Sequence, residues 1–461
     1  MRSRQEHRAR QAWLGMAAWL AFGFGASAAT SPSGERTLSL AEAVAIALEN
    51  NTALSLARVD EQIAESRRER ARAEARPLLA IEEAATRSTD PVFVFGALLS
   101  EESFGPENFE IRALNEPEAI TDFRTSVNLS VPLWTGGRVS ASVDAGTGAL
   151  EAAASEVEAT QRRVIHQVVE AYTRAVLALH QLDVAREAHE TALAHHAMVK
   201  DLKEGGLVVA SDLLQIEVRV REAEQAVVRA ESAVAISHAS MQRLLGDALG
   251  DARVERSTFG IAVETSDLES AIRRAKVARP EIKASTHRRS AADARYKGVR
   301  ALRYPEVGLG ASYQASARDY PGLDGSSWTV GVKAVWKLYD SGRTAHAVEI
   351  ADRERRRMQL MLEDVERRIE FEVREAYERV RSAKMRLESA KGSTALAEES
   401  LRTIEDRYRE GLETVVALLQ GETMLTRTRL SEIEARREVM VAGSAWRLAT
   451  GEPLTATEGR P

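Results

Sequence analysis

Val127-Asn128-Leu129-Ser130-Val131-Pro132-Leu133-Trp134-Thr135-Gly136-Gly137-Arg138 changes its period midway, and that change sets the architecture. Val127, Leu129, Val131 and Leu133 alternate with Ser126, Asn128 and Ser130, the period of two that gives a strand one apolar and one wet face. Beyond Gly136-Gly137-Arg138 the pattern turns helical and runs from Val139 to Lys203, weakly interrupted by Gly146 and Gly148. At about 1.5 Å per residue such a helix is on the order of 100 Å long, more than a compact domain needs.

The same transition occurs a second time. Trp328, Val330, Val332, Ala334, Trp336 and Leu338 alternate with Thr329, Gly331, Lys333 and Lys337 ahead of Gly342-Arg343, and Val307, Leu309, Ala311 and Tyr313 form a weaker partner strand. Upstream, Leu40, Ala43, Val44, Ala47 and Leu54 correspond to Leu268, Ala271, Ile272, Ala275 and Ile282 at an offset of 228, and Pro77 corresponds to Pro305. Past mid-unit the offset becomes 205, matching Glu170-Ala171-Tyr172 to Glu375-Ala376-Tyr377, Gly206-Leu207 to Gly411-Leu412 and Gly246 to Gly451. The chain is an internal repeat, each copy reading helix, strand, strand, long helix, tight turn, helix. Copy one is expected over 38–250, after a lead at 29–37, and copy two over 266–452, between a connector at 251–265 and a tail at 453–461. The 23 residues by which the first copy is longer are assigned to an outer loop at 90–120.

Val164, Val168, Ala171, Ala175, Ala178, Leu182 and Ala185 recur at alternating spacings of four and three, a coiled-coil seam, and all seven matching positions of copy two are apolar. Ile165, Val169, Tyr172, Val176 and Leu179 add a second apolar edge, implying a second neighbour, as in a wall of helices. Copy two departs, with Glu370, Arg374, Tyr377, Arg381 and Lys384 at those positions. The returning helix carries its own stripe from Leu213 to Leu244 and pairs antiparallel with its predecessor across the turn near Gly206.

Arg2, Arg4, Arg8 and Arg10, an apolar run from Ala12 to Phe24 and Ala26-Ser27-Ala28 read as a signal peptide over 1–28. Its removal moves the formal charge from -6 to about -9, and no nucleic-acid partner is expected on that charge and export route. Of 461 residues 29% are charged and only 5% aromatic, a balance suited to long exposed helices. Absence of cysteine excludes disulfides and thiolate metal sites.

No segment after the leader approaches the roughly 20 apolar residues of a spanning helix, so strands must do any crossing. Trp134, Trp328, Trp336 and Tyr339 lie near strand ends, where aromatic rings settle at the two lipid interfaces of a barrel. Two strands per copy make four per chain, whereas closed barrels need about eight or more. Lipid tolerates no open strand edge, so a spanning sheet must pool strands from several identical chains.

With Leu38-Ser39-Leu40-Ala41-Glu42-Ala43, Ala47-Leu48-Glu49-Asn50-Asn51, Pro132 to Arg138, Gly206 to Leu213 and Tyr408-Arg409-Glu410-Gly411-Leu412, the chain resembles the TolC-type outer-membrane efflux proteins from Leu38 to about Pro453. The resemblance implies a mainly helical α+β fold: a homotrimer whose twelve-stranded β-barrel in the outer membrane continues into a long periplasmic α-helical barrel. It implies a passive duct of an efflux or type I secretion system, with a periplasmic adaptor and an inner-membrane transporter as partners. Carried over by position, the adaptor-docking tips are Gly206, Leu207, Ser211, Asp212, Gly411 and Leu412. The positions matched to a charged entrance ring are Ala417 and Gln420, a departure from the family, and Glu410 and Glu413 stand nearby as an alternative acidic ring.

Two other readings compete. A periplasmic coiled-coil adaptor explains the helices but not the paired strands with their tryptophans. An exported enzyme lacks a motif: Gly308-Leu309-Gly310 opens no helix, and His189, His195 and His196 have no carboxylate cluster to complete a metal site and read as solvated helix surface. Neither catalysis nor a cofactor is expected.

Overall fold

Ser39 opens the first helix with a reciprocal cap, its hydroxyl accepting from the Glu42 N–H while the Glu42 carboxylate accepts from the Ser39 N–H. The computed structural model describes residues 37–205, 208–250, 252–256 and 263–453. The expected signal peptide, Gly206, Leu207, nearly all of the lead and tail and part of the connector lie outside them.

In order, the elements are β1 (Thr37–Leu38), α1 (Leu40–Asn50), α2 (Thr52–Ala73), β2 (Leu78–Ser88), α3 (Pro91–Ser100), α4 (Ile111–Asn115), β3 (Ile120–Trp134), α5 (Arg138–Glu204) and α6 (Ala210–Leu245). The second copy follows as β4 (Arg253–Val254), α7 (Leu268–Ala278), α8 (Pro280–Arg300), β5 (Glu306–Ala317), β6 (Gly325–Val335), α9 (Arg343–Arg409) and α10 (Val415–Thr450). α5 and α9 each have 67 residues, about 100 Å of helix. Both start after a glycine in the left-handed region, Gly137 at φ +87° and Gly342 at φ +81°, where an L side chain would be strained.

Each copy begins with two helices rather than the single one expected. Asn51 ends α1 and caps α2, its side-chain oxygen accepting from the Ala53 and Leu54 N–H groups, and at the matching position Arg279 precedes Pro280 at the first turn of α8. The insert is likewise more ordered than a loop. Asp90 caps α3, a short 3-10 turn at Pro106–Phe109 and α4 follow, and Phe104 stacks edge-on between Phe95 and Phe109 at 4.9 and 5.1 Å.

Gly146 and Gly148 do not interrupt α5. A Cβ on Gly146 would stand 3.0 Å from the Arg68 Cα and one on Gly148 3.0 Å from the His287 carbonyl, so these glycines let α2 and α8 close on the long helix. The seam from Val164 to Leu182 is buried, as are Ile369, Val373, Ala376, Val380 and Ala383. One apolar cluster joins α1, α5 and the end of α6 with Val254, and another joins α7, α9 and α10 around the buried Trp446.

The second apolar edge of α5 meets a short helix as well as a long one. Ile165, Tyr172 and Val176 lie in one apolar cluster with the short helix α1 and with Met241, Leu244 and Leu245 at the end of the long helix α6. In copy two α7 takes the same place on α9, where Glu370 pairs with Lys276 at 3.0 Å and Arg374 with Glu269 at 3.4 Å. At Lys276 and Glu370 charge stands where copy one has Leu48 and Ile165, while Ala271, Ile272 and Ala275 of α7 keep an apolar contact with α9.

Candidate functional site

β2, β3, β5 and β6 form one antiparallel sheet in that order, leaving β2 and β6 as its edges. Its register sorts the side chains. Ile81, Val127, Tyr313 and Trp328 lie in one cross-strand row and Leu79, Leu129, Ala311 and Val330 in the next, followed by Val131, Leu309 and Val332. The intervening rows, which point to the opposite face, hold Glu82, Ser126, Gln314 and Ser327, then Ala80, Asn128, Ser312 and Thr329. The apolar face is uncovered at Ile81, Tyr313, Trp328, Val330 and Val332. A bare apolar sheet face of this size suits hydrocarbon rather than water, and its polar reverse suits an aqueous lumen.

The expected interfacial aromatics sit at two levels. Trp328 lies four residues into β6. Trp134 closes β3, while Trp336 and Tyr339 follow β6 toward α9, the Trp336 Nε1–H donating to the Arg303 carbonyl at 3.0 Å. Eight residues separate Trp328 from Trp336, roughly 26 Å of strand, which matches the roughly 25 Å apolar band of an outer-membrane barrel.

Beyond the Trp328 end, α3 folds over the β5–β6 hairpin so closely that a Cβ on Gly325 would meet the Ser100 carbonyl oxygen at 2.0 Å. Glu101 is buried there, its carboxyl pushed above the usual range by burial, against which Arg318 at 3.8 Å only partly compensates.

At the far end the two long hairpins come together. Val199 and Ile216 of the first pack with Leu401, Tyr408, Val415 and Leu418 of the second. Tyr408 is buried, and burial followed by the nearby Asp212 carboxylate raises its phenol. Ser211 is exposed in the first turn of α6 and Asp212 half-buried, while Gly411 turns the second tip at φ +70° and leaves Leu412 exposed. Between α6 and α10 runs a groove lined by Leu214, Val218, Val416, Leu419 and Met424. Glu410 is exposed at the end of α9, whereas Glu413 lies 3.6 Å from Arg407. Thr414 caps α10 by accepting from the Ala417 N–H, and Gln420 lines the groove.

One histidine was misread from sequence. His195 is mostly buried and pairs with the buried Glu422, and Arg219 approaches the other Glu422 oxygen at 3.9 Å, so α5, α6 and α10 are tied together near the tips. His196 is half-exposed, 3.8 Å from Glu217. No group of three or more metal-ligating side chains occurs among the described residues, and no described helix is long and apolar enough to cross a membrane.

Comparison with known proteins agrees with this geometry. The family model for outer membrane efflux protein matches residues 43–247 and 271–452. The outer membrane efflux protein BepC of Brucella suis is 23% identical over 350 residues, covering 73% of this chain and 75% of its own. Among solved structures, CusC superposes with a TM-score of 0.77 at 18% identity, covering 91% of this chain and 93% of its own. The CmeC outer membrane channel of Campylobacter jejuni superposes with a TM-score of 0.76 at 17% identity, covering 91% and 87%.

Proposed function

The chain belongs to the outer membrane efflux protein family, and from that premise we propose that three copies close a single duct. It is an outer-membrane channel component of an efflux system, extending into the periplasm, and not a pore-less adaptor. The observation that carries the trimer is the four-stranded sheet with one bare apolar face and two open edges. Lipid forbids those edges, and three sheets give twelve strands with no edge left. The polar rows line the lumen, and the long helices extend it inward as a passive conduit without catalysis or cofactor.

Purified in mild detergent, the protein is expected to have the mass of three chains and, in planar bilayers, to give discrete single-channel steps. A monomer without conductance would defeat the reading. In such recordings the exposed Glu410 sets cation preference more than Glu413, whose charge Arg407 partly offsets. Glu410→Gln therefore lowers that preference further than Glu413→Gln, and equal effects would remove Glu410 from the entrance.

The paired tips are the surface for a periplasmic adaptor fed by an inner-membrane transporter. Support comes from Leu412, a large apolar side chain left bare at a left-handed glycine turn beside an apolar groove. Leu412→Asp is expected to reduce adaptor capture at least tenfold while trimer yield and conductance stay unchanged. Undiminished capture would place docking elsewhere.

A further inference from the structure

The register of the sheet fixes which side of it the insert occupies. Ala84, Arg124, Ser316 and Gly325 form the polar row two residues beyond Glu82, Ser126, Gln314 and Ser327, and Asp122 stands in the row after it. α3 lies against these residues: the Ser100 carbonyl fills the space that a Cβ on Gly325 would take, and Glu101 reaches Arg318 at 3.8 Å. Ser316 and Asp122 are accordingly buried, whereas Ser327 and Thr329 on the same face are exposed. The helix therefore stands on the polar side of the sheet, away from the bare apolar rows.

That placement leaves α3 with two apolar faces. Val94, Ala97 and Leu98 are buried together with Glu101, one turn after another. Val92, Phe95 and Leu99, spaced three and four on the opposite side of the helix, are 81%, 38% and 51% exposed. Water is a poor neighbour for such a stripe, and lipid is excluded because hydrocarbon faces the other side of the sheet. The stripe is also held in place, Asp90 capping the helix and the Phe95 ring resting on Phe104. Copy two, 23 residues shorter at this point, has no counterpart.

We propose that α3 constricts the outer mouth of the duct, and that solutes leave past the stripe of Val92, Phe95 and Leu99. The inference rests on the duct reading above, since only a closed barrel makes the polar face a lumen. Along the rest of the barrel wall Ser126, Asn128, Ser312 and Thr329 offer hydroxyls and an amide, beside which an ion keeps its water. An apolar narrowing holds water poorly and so slows hydrated ions, while an amphiphilic or uncharged molecule finds apolar contact there. The insert of copy one thus discriminates between solutes at the exit, a task separate from that of the tips at the entrance.

Val92→Ser combined with Leu99→Ser spares both the buried face of α3 and the aromatic stack. In planar bilayers this double variant is expected to raise single-channel conductance at least twofold at fixed salt. The chain has no native cysteine, so an introduced one reports without background. With Leu99→Cys, a charged methanethiosulfonate in the bath is expected to shift the conductance in as many as three discrete steps. Val330→Cys, on the bare apolar face, is expected to give none. Native conductance in the double variant, no step at Leu99→Cys, or equal steps at Val330→Cys overturns the constriction and leaves the duct reading standing. A native protein without single-channel steps overturns both.

Discussion

In the first copy Leu48 and Ile165 belong to one apolar cluster between α1 and α5; at the matching positions of the second, Lys276 and Glu370 form an ion pair at 3.0 Å. The helix breaks differ in the same way. The Asn51 Nδ2–H donates to the Leu244 carbonyl at 3.1 Å, and its match Arg279 donates to the matching Ala449 carbonyl, also at 3.1 Å. Arg279 reaches further, to the Leu448 carbonyl at 3.3 Å and to the carboxylates of Glu281 and Glu372 at 2.8 and 2.9 Å. Copy one has Ala53 and Gln167 where those carboxylates stand. The same backbone junction thus survives with a neutral amide in one copy and a buried cation in the other, provided that the helix-end carbonyl keeps a donor and every added charge keeps a partner.

The largest expected effect tests that junction. Arg279→Ala leaves two carbonyls and two carboxylates without their donor and is expected to cost about 3–5 kcal/mol. Asn51→Ala removes one buried donor and a helix cap, worth about 1–3 kcal/mol. Denaturant unfolding followed by helical circular dichroism is expected to show the lower midpoint for Arg279→Ala. Equal midpoints would mean that the carboxylates around Arg279 are satisfied by water and that the two junctions are energetically alike.

What could be read in advance was whatever repeats along one element. The limits of α5 are Arg138 and Glu204 against an expected Val139 and Lys203, because an unbroken apolar period and flanking glycines are local signals. The strands before each long helix, the four-strand sheet and the offset between copies were legible for the same reason. The break at Asn51 and the cap α3 carried local signals too, an asparagine between two apolar runs and Asp90-Pro91 at a helix start, but they were outweighed by the expectation of one helix and one loop. The tie between His195 and Glu422 had no local signal, since its partners stand far apart in sequence and meet only when the two hairpins pack. At the tips the sequence located Asp212 and Leu412 but not the burial of Tyr408 beside them, which depends on the same packing.

The smallest effects separate the two short-helix contacts. Ile165 is buried, and Ile165→Ala is expected to lower the unfolding midpoint by about 2–5 kcal/mol in equivalent stability, whatever the salt or pH. Glu370→Ala removes a solvent-facing pair and is expected to leave the midpoint nearly unchanged at physiological ionic strength, with any loss confined to low salt. Acid distinguishes the contacts more finely. Hydrogen bonds from Lys276 and then Arg374, with their positive charges, hold the Glu370 carboxyl below its ordinary range. A carboxyl lowered in the folded state adds stability above its unfolded value, near 4.3, and that stability drains away as pH falls through the lowered folded value. Docking of α7 on α9 therefore loosens in acid before docking of α1 on α5, whose Leu48 and Ile165 contact carries no proton. In hydrogen exchange the ratio of α7 to α1 exchange rates is expected to rise as pH drops below about 4 and to stay flat in Glu370→Ala. A ratio that climbs equally in the variant would show that a carboxyl other than Glu370 governs the second contact.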